Sequence, residues 1–458
     1  MSSNFINTSI FEIFKIGPGP SSSHTIAPLK IGHSFYEFSS TLDSKIIKKS
    51  VKIRIELFGS LSLTGRGHGT HRAIVGGLLG MTPESCDPDI LLDIFEKKDT
   101  VYNIQIGDKT IPLVESDLIF SREPIESEYS NTLRIKLLDA DGKTTVEKEY
   151  YSVGGGFTKC KGEAESIKKG KVIHKYSNFN ELRTLCEKKG LPLSQVILEN
   201  EMAISSLSKK EIFKKMKKII NVMLDSVDNG LNSTQHILPG PIKLERRAST
   251  VFKSAKKKKF ETTKSLTFLN SYSLAASEEN AAGRIVVTAP TSGSSGILPG
   301  VIYFLRNNLK TSKKSIINAM FNAAAIAYIA RENASIAGAD VGCQGEVGVA
   351  SSMAAALIST IDKQPLEVIE NSATIALEHF LGLTCDPVGG YVQVPCIERN
   401  AVGAVAGYNA YILAFSKQHG RISFDEVVRT MLETGRDMNE KYRETAKGGL
   451  AIFTSIGC

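Results

Sequence analysis

The residues of this chain best suited to chemistry gather in glycine-rich turns of its C-terminal half. Cys343 lies in "GADVGCQGEVG", flanked by Gly342 and Gly345. Cys385 and Cys396 lie in "GLTCDPVGGYVQVPCIERN", the first followed by Asp386-Pro387 and the second preceded by Pro395. Turns at helix ends can aim a sulfur and offer it backbone N–H groups, and an iron–sulfur cluster needs both. Thiolates are soft ligands that suit iron–sulfur or zinc. The spacing is not the CxxC pairing of a zinc ribbon or a ferredoxin run. On the residues alone three readings stand: buried structural thiols, a metal site, or a nucleophile. If the three bind a four-iron cluster, one iron lacks a cysteine from the trio. An open iron is a Lewis acid able to hold a hydroxyl and a carboxylate, which makes dehydration possible.

Two of the eight histidines, His24 in "SSSHT" and His68 in "GRGHGTH", sit in glycine- and serine-rich turns. An imidazole titrates near neutrality and suits the role of general base, His68 ahead of His24, with Thr70 as a positioning group. Both lie in the N-terminal region, so they act only if that region abuts the cysteines; otherwise they orient loops or bind an effector. Ser21, Ser22, Ser23 and Thr25 follow "GPGP" at a predicted helix start, which makes either an anion site or a plain N-cap. In "PTSGSSG", Thr291, Ser292, Gly293 and Ser294 either hold a carboxylate, cradle a cofactor phosphate, or form an ordinary turn. The phosphate reading needs a Schiff-base lysine, and no lysine context argues for one.

The elements that must carry these residues fall into two parts. Residues 1–155 read as an α+β domain. "SVKIRIELFGSL" alternates as a half-buried strand, "THRAIVGGLLG" fits a helix, and "TVYNIQIG", "NTLRIKLLDADG" and "TTVEKEYYSVGGG" are further strands. Residues 156–175 are polar and read as a linker. Residues 176–458 read as a mostly α-helical catalytic domain, with "SNFNELRTLCEKKG" running from a serine start to a glycine stop and "KKEIFKKMKKIINVMLDSVDNG" ending the same way. Many of its helices carry Ala, Gly and Ser, which lets axes approach closely.

The chain has 458 residues and a formal charge of +8, with lysine runs at 214–218 and 256–259. Those runs lack interleaved aromatics or a nucleic-acid motif, so they read as solvated helix faces. "NAVGAVAGYNAYILAFS" is too short for a confident membrane span and reads as a buried helix. The N-terminus is not a secretory signal. Seven cysteines without a disulfide framework point to a reducing cytoplasm.

At the cysteine turns the sequence becomes recognisable. "GPGPSSSHT", "GSLSLTGRGHGTH", "LPGPIKLERRAS", "EENAAGRIVVTAPTSGSSGILPG", "NASIAGADVGCQGEVGVASSMAAAL", "LEHFLGLTCDPVGGYVQVPCIERNA" and "DMNEKYRETAKGGLA" occur in order. Together they resemble the bacterial iron–sulfur L-serine dehydratases, in the form where β and α regions are fused. The resemblance implies conversion of L-serine to pyruvate and ammonia with an oxygen-sensitive [4Fe-4S] cluster and without pyridoxal phosphate. It implies that Cys343, Cys385 and Cys396 ligate the cluster, and that the chain forms a homodimer. It also implies an N-terminal domain similar to the serine-responsive regulatory domain of some phosphoglycerate dehydrogenases. Two positions depart from the family pattern: Ser292 replaces an amide residue and His71 stands where Asp is common. The C-terminal Cys458, in "AIFTSIGC", then has a role, capping the open iron until substrate displaces it; the alternative is a frayed tail. Rival readings are a cluster-dependent hydro-lyase acting on a hydroxy acid, a pyridoxal-dependent deaminase, and an iron–sulfur electron carrier or redox sensor.

Overall fold

The computed structural model describes residues 5–97, 99–123, 126–127, 129, 131–163, 170–415 and 421–454. A five-stranded sheet and a helical body share the chain, each with its own core.

The sheet runs in the order Leu118–Phe120, Lys52–Leu57, Thr132–Leu138, Thr144–Ser152 and Thr158–Cys160. Its first pair is parallel and the others antiparallel. Alternation in "KIRIEL" sends Ile53, Ile55 and Leu57 inward, opposite Leu137, Ile135 and Leu133 on the neighbouring strand. Each such buried aliphatic contributes about 1.5–3 kcal/mol. The helices Ala27–Ser39 and Thr70–Leu78 cover this face, and a separate hairpin, Tyr102–Ile106 with Lys109–Leu113, buries Ile104, Ile106, Ile111 and Leu113 in the same core.

Two boundaries differ from the sequence reading. The stretch read as a linker supplies the sheet's outer strand, Thr158–Cys160, so the sheet continues past residue 155. Residues 164–169 lie outside the described residues. At the other end, the apolar patch Ile6, Ile10, Ile13 and Phe14 is buried in the core of the helical body. The strand after it, Ile16–Pro18, pairs antiparallel with Ile285–Val287 of that body. The N-terminal segment is thus a strap holding the two parts together.

In the helical body, Lys313–Asn333, Val349–Ile361, Leu366–Glu378 and Cys396–Ala414 pack side by side around alanine-lined contacts. The helix Lys209–Asn232 does not stop at Gly230 but runs through it. A Cβ there would lie 2.3 Å from the carbonyl oxygen of Ala275, so this glycine permits a close helix crossing. The helix Phe179–Lys189 starts from Asn178 rather than Ser177, because the Asn178 side chain accepts the Glu181 N–H; it ends at Gly190 as expected. The helix Cys396–Ala414 is buried on one side only: Ala401, Ala404, Gly407 and Ala410 face inward, while Val402, Ile412 and Leu413 are exposed. Both lysine runs are exposed. No helix among the described residues is long and apolar enough to cross a membrane.

Candidate active site

The three cysteines converge from three separate turns. Cys343 immediately precedes a wide π-helical turn, Gln344–Gly348, which leads into the helix Val349–Ile361. Cys385 pairs with the chain's late segment: its N–H donates to the Tyr442 carbonyl (2.8 Å) and its carbonyl accepts from the Glu444 N–H (2.9 Å). Cys396 opens the helix Cys396–Ala414 directly after Pro395. All three are buried and line one small pocket, and none of the described cysteines forms a disulfide.

Two residues bind this set together. The Glu346 carboxylate accepts from the Thr291 hydroxyl (2.7 Å), and its other oxygen lies 4.0 Å from Cys343 Sγ and 3.9 Å from Cys385 Sγ. Arg399, one turn after Cys396, donates to Cys343 Sγ (3.4 Å), to the Thr384 carbonyl (2.8 Å) and to Asp386 (2.9 Å). One guanidinium therefore ties the three cysteine turns to each other. Burial raises the pKa of Glu346, opposed by Thr291 and Arg399. Hydrogen bonding to Cys343, then burial, pushes the Cys385 thiol well up, and burial raises Cys396. Burial opposes the Arg399 charge, but Cys343, Cys396 and Asp386 outweigh it and hold its pKa above the ordinary value. The ligand atoms of Cys343, Glu346 and Cys385 all lie within 4.8 Å of one another, close enough to hold a metal. Soft thiols with a cation beside them fit an anionic iron–sulfur group by donor chemistry.

The opposite wall comes from the N-terminal region. His68 lines the cysteine pocket together with Ser21 and Pro20. Gly69, at φ 67°, turns the chain between His68 and the helix that begins at Thr70. His68 Nδ1 lies 3.0 Å from the Thr64 carbonyl, an acceptor, so Nδ1 carries the proton. Nε2 is then a bare imine nitrogen, buried and with no partner among the described residues. Burial lowers the His68 pKa to about 4, partly offset by the Thr64 contact. At neutral pH the ring is uncharged and able to accept a proton.

His24 packs against His68 with ring centroids 4.6 Å apart and the planes tilted by 44°. Ser60 donates its hydroxyl proton to the Glu444 carbonyl (2.9 Å), so it accepts from His24 Nε2 (3.0 Å). His24 Nδ1 is therefore unprotonated and accepts from the Ser23 hydroxyl (2.8 Å); it lies 3.6 Å from the Glu444 carboxyl. Burial, and then His68, holds the His24 pKa well below the usual value. The two loops lock one another: Thr25 donates to the His68 carbonyl (2.8 Å) and Thr70 to the His24 carbonyl (2.6 Å). Two π-helical turns occur among the described residues, Ser22–Ile26 and Gln344–Gly348, and they face each other across this site.

The expected anion-binding residues divide. Ser21 and Gly293 line the pocket. Ser21 and Ser23 hydroxyls lie 3.2 Å apart, and Ser21 caps the His24 N–H. Ser22 is buried in the same turn. Thr291 is engaged by Glu346, and Ser294 donates to the Ala289 carbonyl (3.1 Å) within its own loop. The Ser292 hydroxyl is buried without a partner among the described residues. His71 faces away from the pocket, stacked on Phe95 (6.1 Å), and burial lowers its pKa to about 4. Cys458 lies outside the described residues. Glu346, Arg399 and Glu444 escaped the sequence reading, although all three stand in the blocks quoted above.

Comparison with known proteins defines the class first. Residues 9–163 match the family model "Serine dehydratase beta chain" and residues 188–451 match "Serine dehydratase alpha chain". This chain belongs to the serine dehydratase family, with both parts in one polypeptide. Among individual relatives it is 41% identical to "L-serine dehydratase TdcG" of Escherichia coli, over 98% of this chain and 100% of that one. It is 40% identical to an "L-serine dehydratase" of Haemophilus influenzae and 38% to one of Helicobacter pylori, each over 97% of this chain and 98% of the relative.

Proposed function

We infer that the protein is an L-serine dehydratase that forms pyruvate and ammonia, with Cys343, Cys385 and Cys396 holding a [4Fe-4S] cluster. When bound, such a cluster supplies an open iron, a Lewis acid for the substrate hydroxyl and carboxylate. The chain's own groups do the rest. Ser21 and its neighbours Ser22 and Ser23, with the Ser292–Gly293 turn, orient the carboxylate. Thr64 fixes the His68 tautomer, so that Nε2 points its lone pair into the pocket and takes the α-proton. Loss of that proton and of the hydroxyl leaves an enamine, which tautomerises to an imine. Water hydrolyses the imine to pyruvate and ammonia. His24, Thr25 and Thr70 act by position, holding His68 against the pocket.

One observation carries this reading: the unpartnered His68 Nε2, delivered by the N-terminal region, borders the same pocket as three buried thiols from the helical body. A base facing a metal-binding trio is an arrangement for proton abstraction beside a Lewis acid. Cys458 is the proposed resting-state cap on the open iron, and a homodimer is the proposed assembly. The test is anaerobic purification, absorbance at about 410 nm for the cluster, and pyruvate release from L-serine without added pyridoxal. Iron-dependent pyruvate formation is the expected result; equal activity in iron-free protein overturns the reading.

A further inference from the structure

The dehydratase reading leaves one substrate group without a partner. L-Serine carries a carboxylate, a hydroxyl and an ammonium, and only the first two are accounted for above. A buried ammonium needs a counter-charge. The pocket offers two carboxyls, Glu346 and Glu444.

Glu346 is already engaged by the Thr291 hydroxyl at one oxygen and by two thiols at the other. Glu444 is different. The pairing of its N–H with the Cys385 carbonyl brings it to the pocket, and its side chain is 10% exposed. Among the described residues the only basic group within 4 Å of its carboxyl is His24, at Nδ1. That ring is neutral: its proton sits on Nε2 against Ser60, and Nδ1 accepts from the Ser23 hydroxyl. The nearby Arg443 points elsewhere, to the Asp340 carbonyl (3.3 Å). Glu444 thus has no charged partner within 4 Å among the described residues, in the pocket that His68 also lines.

We propose that Glu444 receives the α-ammonium of the substrate, and that this contact restricts the site to amino acids and excludes the corresponding hydroxy acids. Resting on the dehydratase reading, it adds the specificity determinant of the same site. An ammonium there donates a hydrogen bond to the Glu444 carboxylate and supplies the positive charge it lacks. A buried carboxylate pairs far better with an ammonium than with the neutral hydroxyl that replaces it in a hydroxy acid.

The test compares L-serine as substrate with glycerate, in which a neutral hydroxyl replaces the ammonium, as competitive inhibitor, in iron-loaded parent, Glu444→Gln and Glu444→Asp proteins. In the parent, the glycerate inhibition constant exceeds the L-serine KM by at least about 100-fold. In E444Q the L-serine KM rises about 100-fold while glycerate binds as before or more tightly, so the ratio collapses; E444D retains part of it. Equal loss of both ligands in E444Q would mark a structural role and overturn the proposal, as would an unchanged ratio. A parent protein that releases no pyruvate from L-serine would contradict the dehydratase reading itself, which is a separate outcome.

Discussion

The two walls of the pocket are built on opposite principles. The wall from the helical body is densely bonded: Arg399 reaches three turns, Glu346 accepts from Thr291, and each thiol sits in a fixed turn. The wall from the N-terminal region presents two neutral rings: His68 leaves Nε2 bare, while His24 is bonded at both nitrogens, to Ser60 and to Ser23. The first arrangement suits holding a charged group without movement. The second suits accepting a proton, because a base already hydrogen-bonded to a donor has no lone pair to offer. On the proposed function this difference is a division of labour: the cysteines and Arg399 of the helical wall hold the cluster, and His68 of the N-terminal wall takes the proton.

Substitutions should separate these roles. The largest effect is expected from Cys385→Ser, which removes a soft ligand: iron content and activity fall together, activity by at least about 1,000-fold. Retained iron with lost activity would break the division. Arg399→Lys keeps the charge but loses the fork that joins Thr384, Asp386 and Cys343. It should weaken iron retention by about 10- to 100-fold, measured by chelator challenge, while the metal-free protein stays folded. An unchanged chelation rate would remove Arg399 from the binding wall.

The N-terminal wall has a cost that pH reveals. His68 and His71 each have pKa lowered from 6.5 to about 4 by burial. Between those values the unfolded chain takes up protons that the folded protein refuses, so stability is full above pH 6.5 and falls as pH drops toward 4. Each ring accounts for about 3 kcal/mol across that window. Urea unfolding of the metal-free protein at pH 7 and pH 5 measures the loss. His71→Phe, which keeps the ring stack on Phe95 and removes one titrating group, should flatten the slope. A pH-independent midpoint would contradict the burial argument. The smallest effect is expected from Thr70→Val. It removes one buried hydrogen bond to the His24 carbonyl, costs about 1–2 kcal/mol, and lowers kcat a few-fold with iron unchanged. Iron loss in this variant would tie the two walls more tightly than proposed.

Part of the candidate site was legible because cysteine and histidine can do chemistry and glycine-rich turns can aim them, although spacing alone left buried structural thiols as an open reading. Cys343, Cys385, Cys396, His24 and His68 could be singled out from residue type and local context. What the sequence could not decide was whether the N-terminal histidines reach the cysteines, since that depends on contact between segments hundreds of residues apart. Glu346, Arg399 and Glu444 were hidden for another reason. Acids and arginines are usually exposed, and nothing in "QGEVG", "CIERN" or "YRETA" announces burial. Glu444 reaches the pocket only through its backbone pairing with Cys385. The fold followed the same pattern. Strand alternation found the three long strands of the sheet, but "TVYNIQIG" forms a separate hairpin and the short edge strands Leu118–Phe120 and Thr158–Cys160 were missed; Gly230 and the N-terminal strap were misread because a helix crossing and a distant strand partner, Ile285–Val287, decide them.

The central claim is that His68 acts and the cysteines hold. Its most direct test is His68→Ala, with iron content and kcat measured on the same anaerobic sample. The account predicts parental iron and cluster absorbance with kcat reduced by about 100- to 10,000-fold. Near-normal kcat with the iron in place would contradict it.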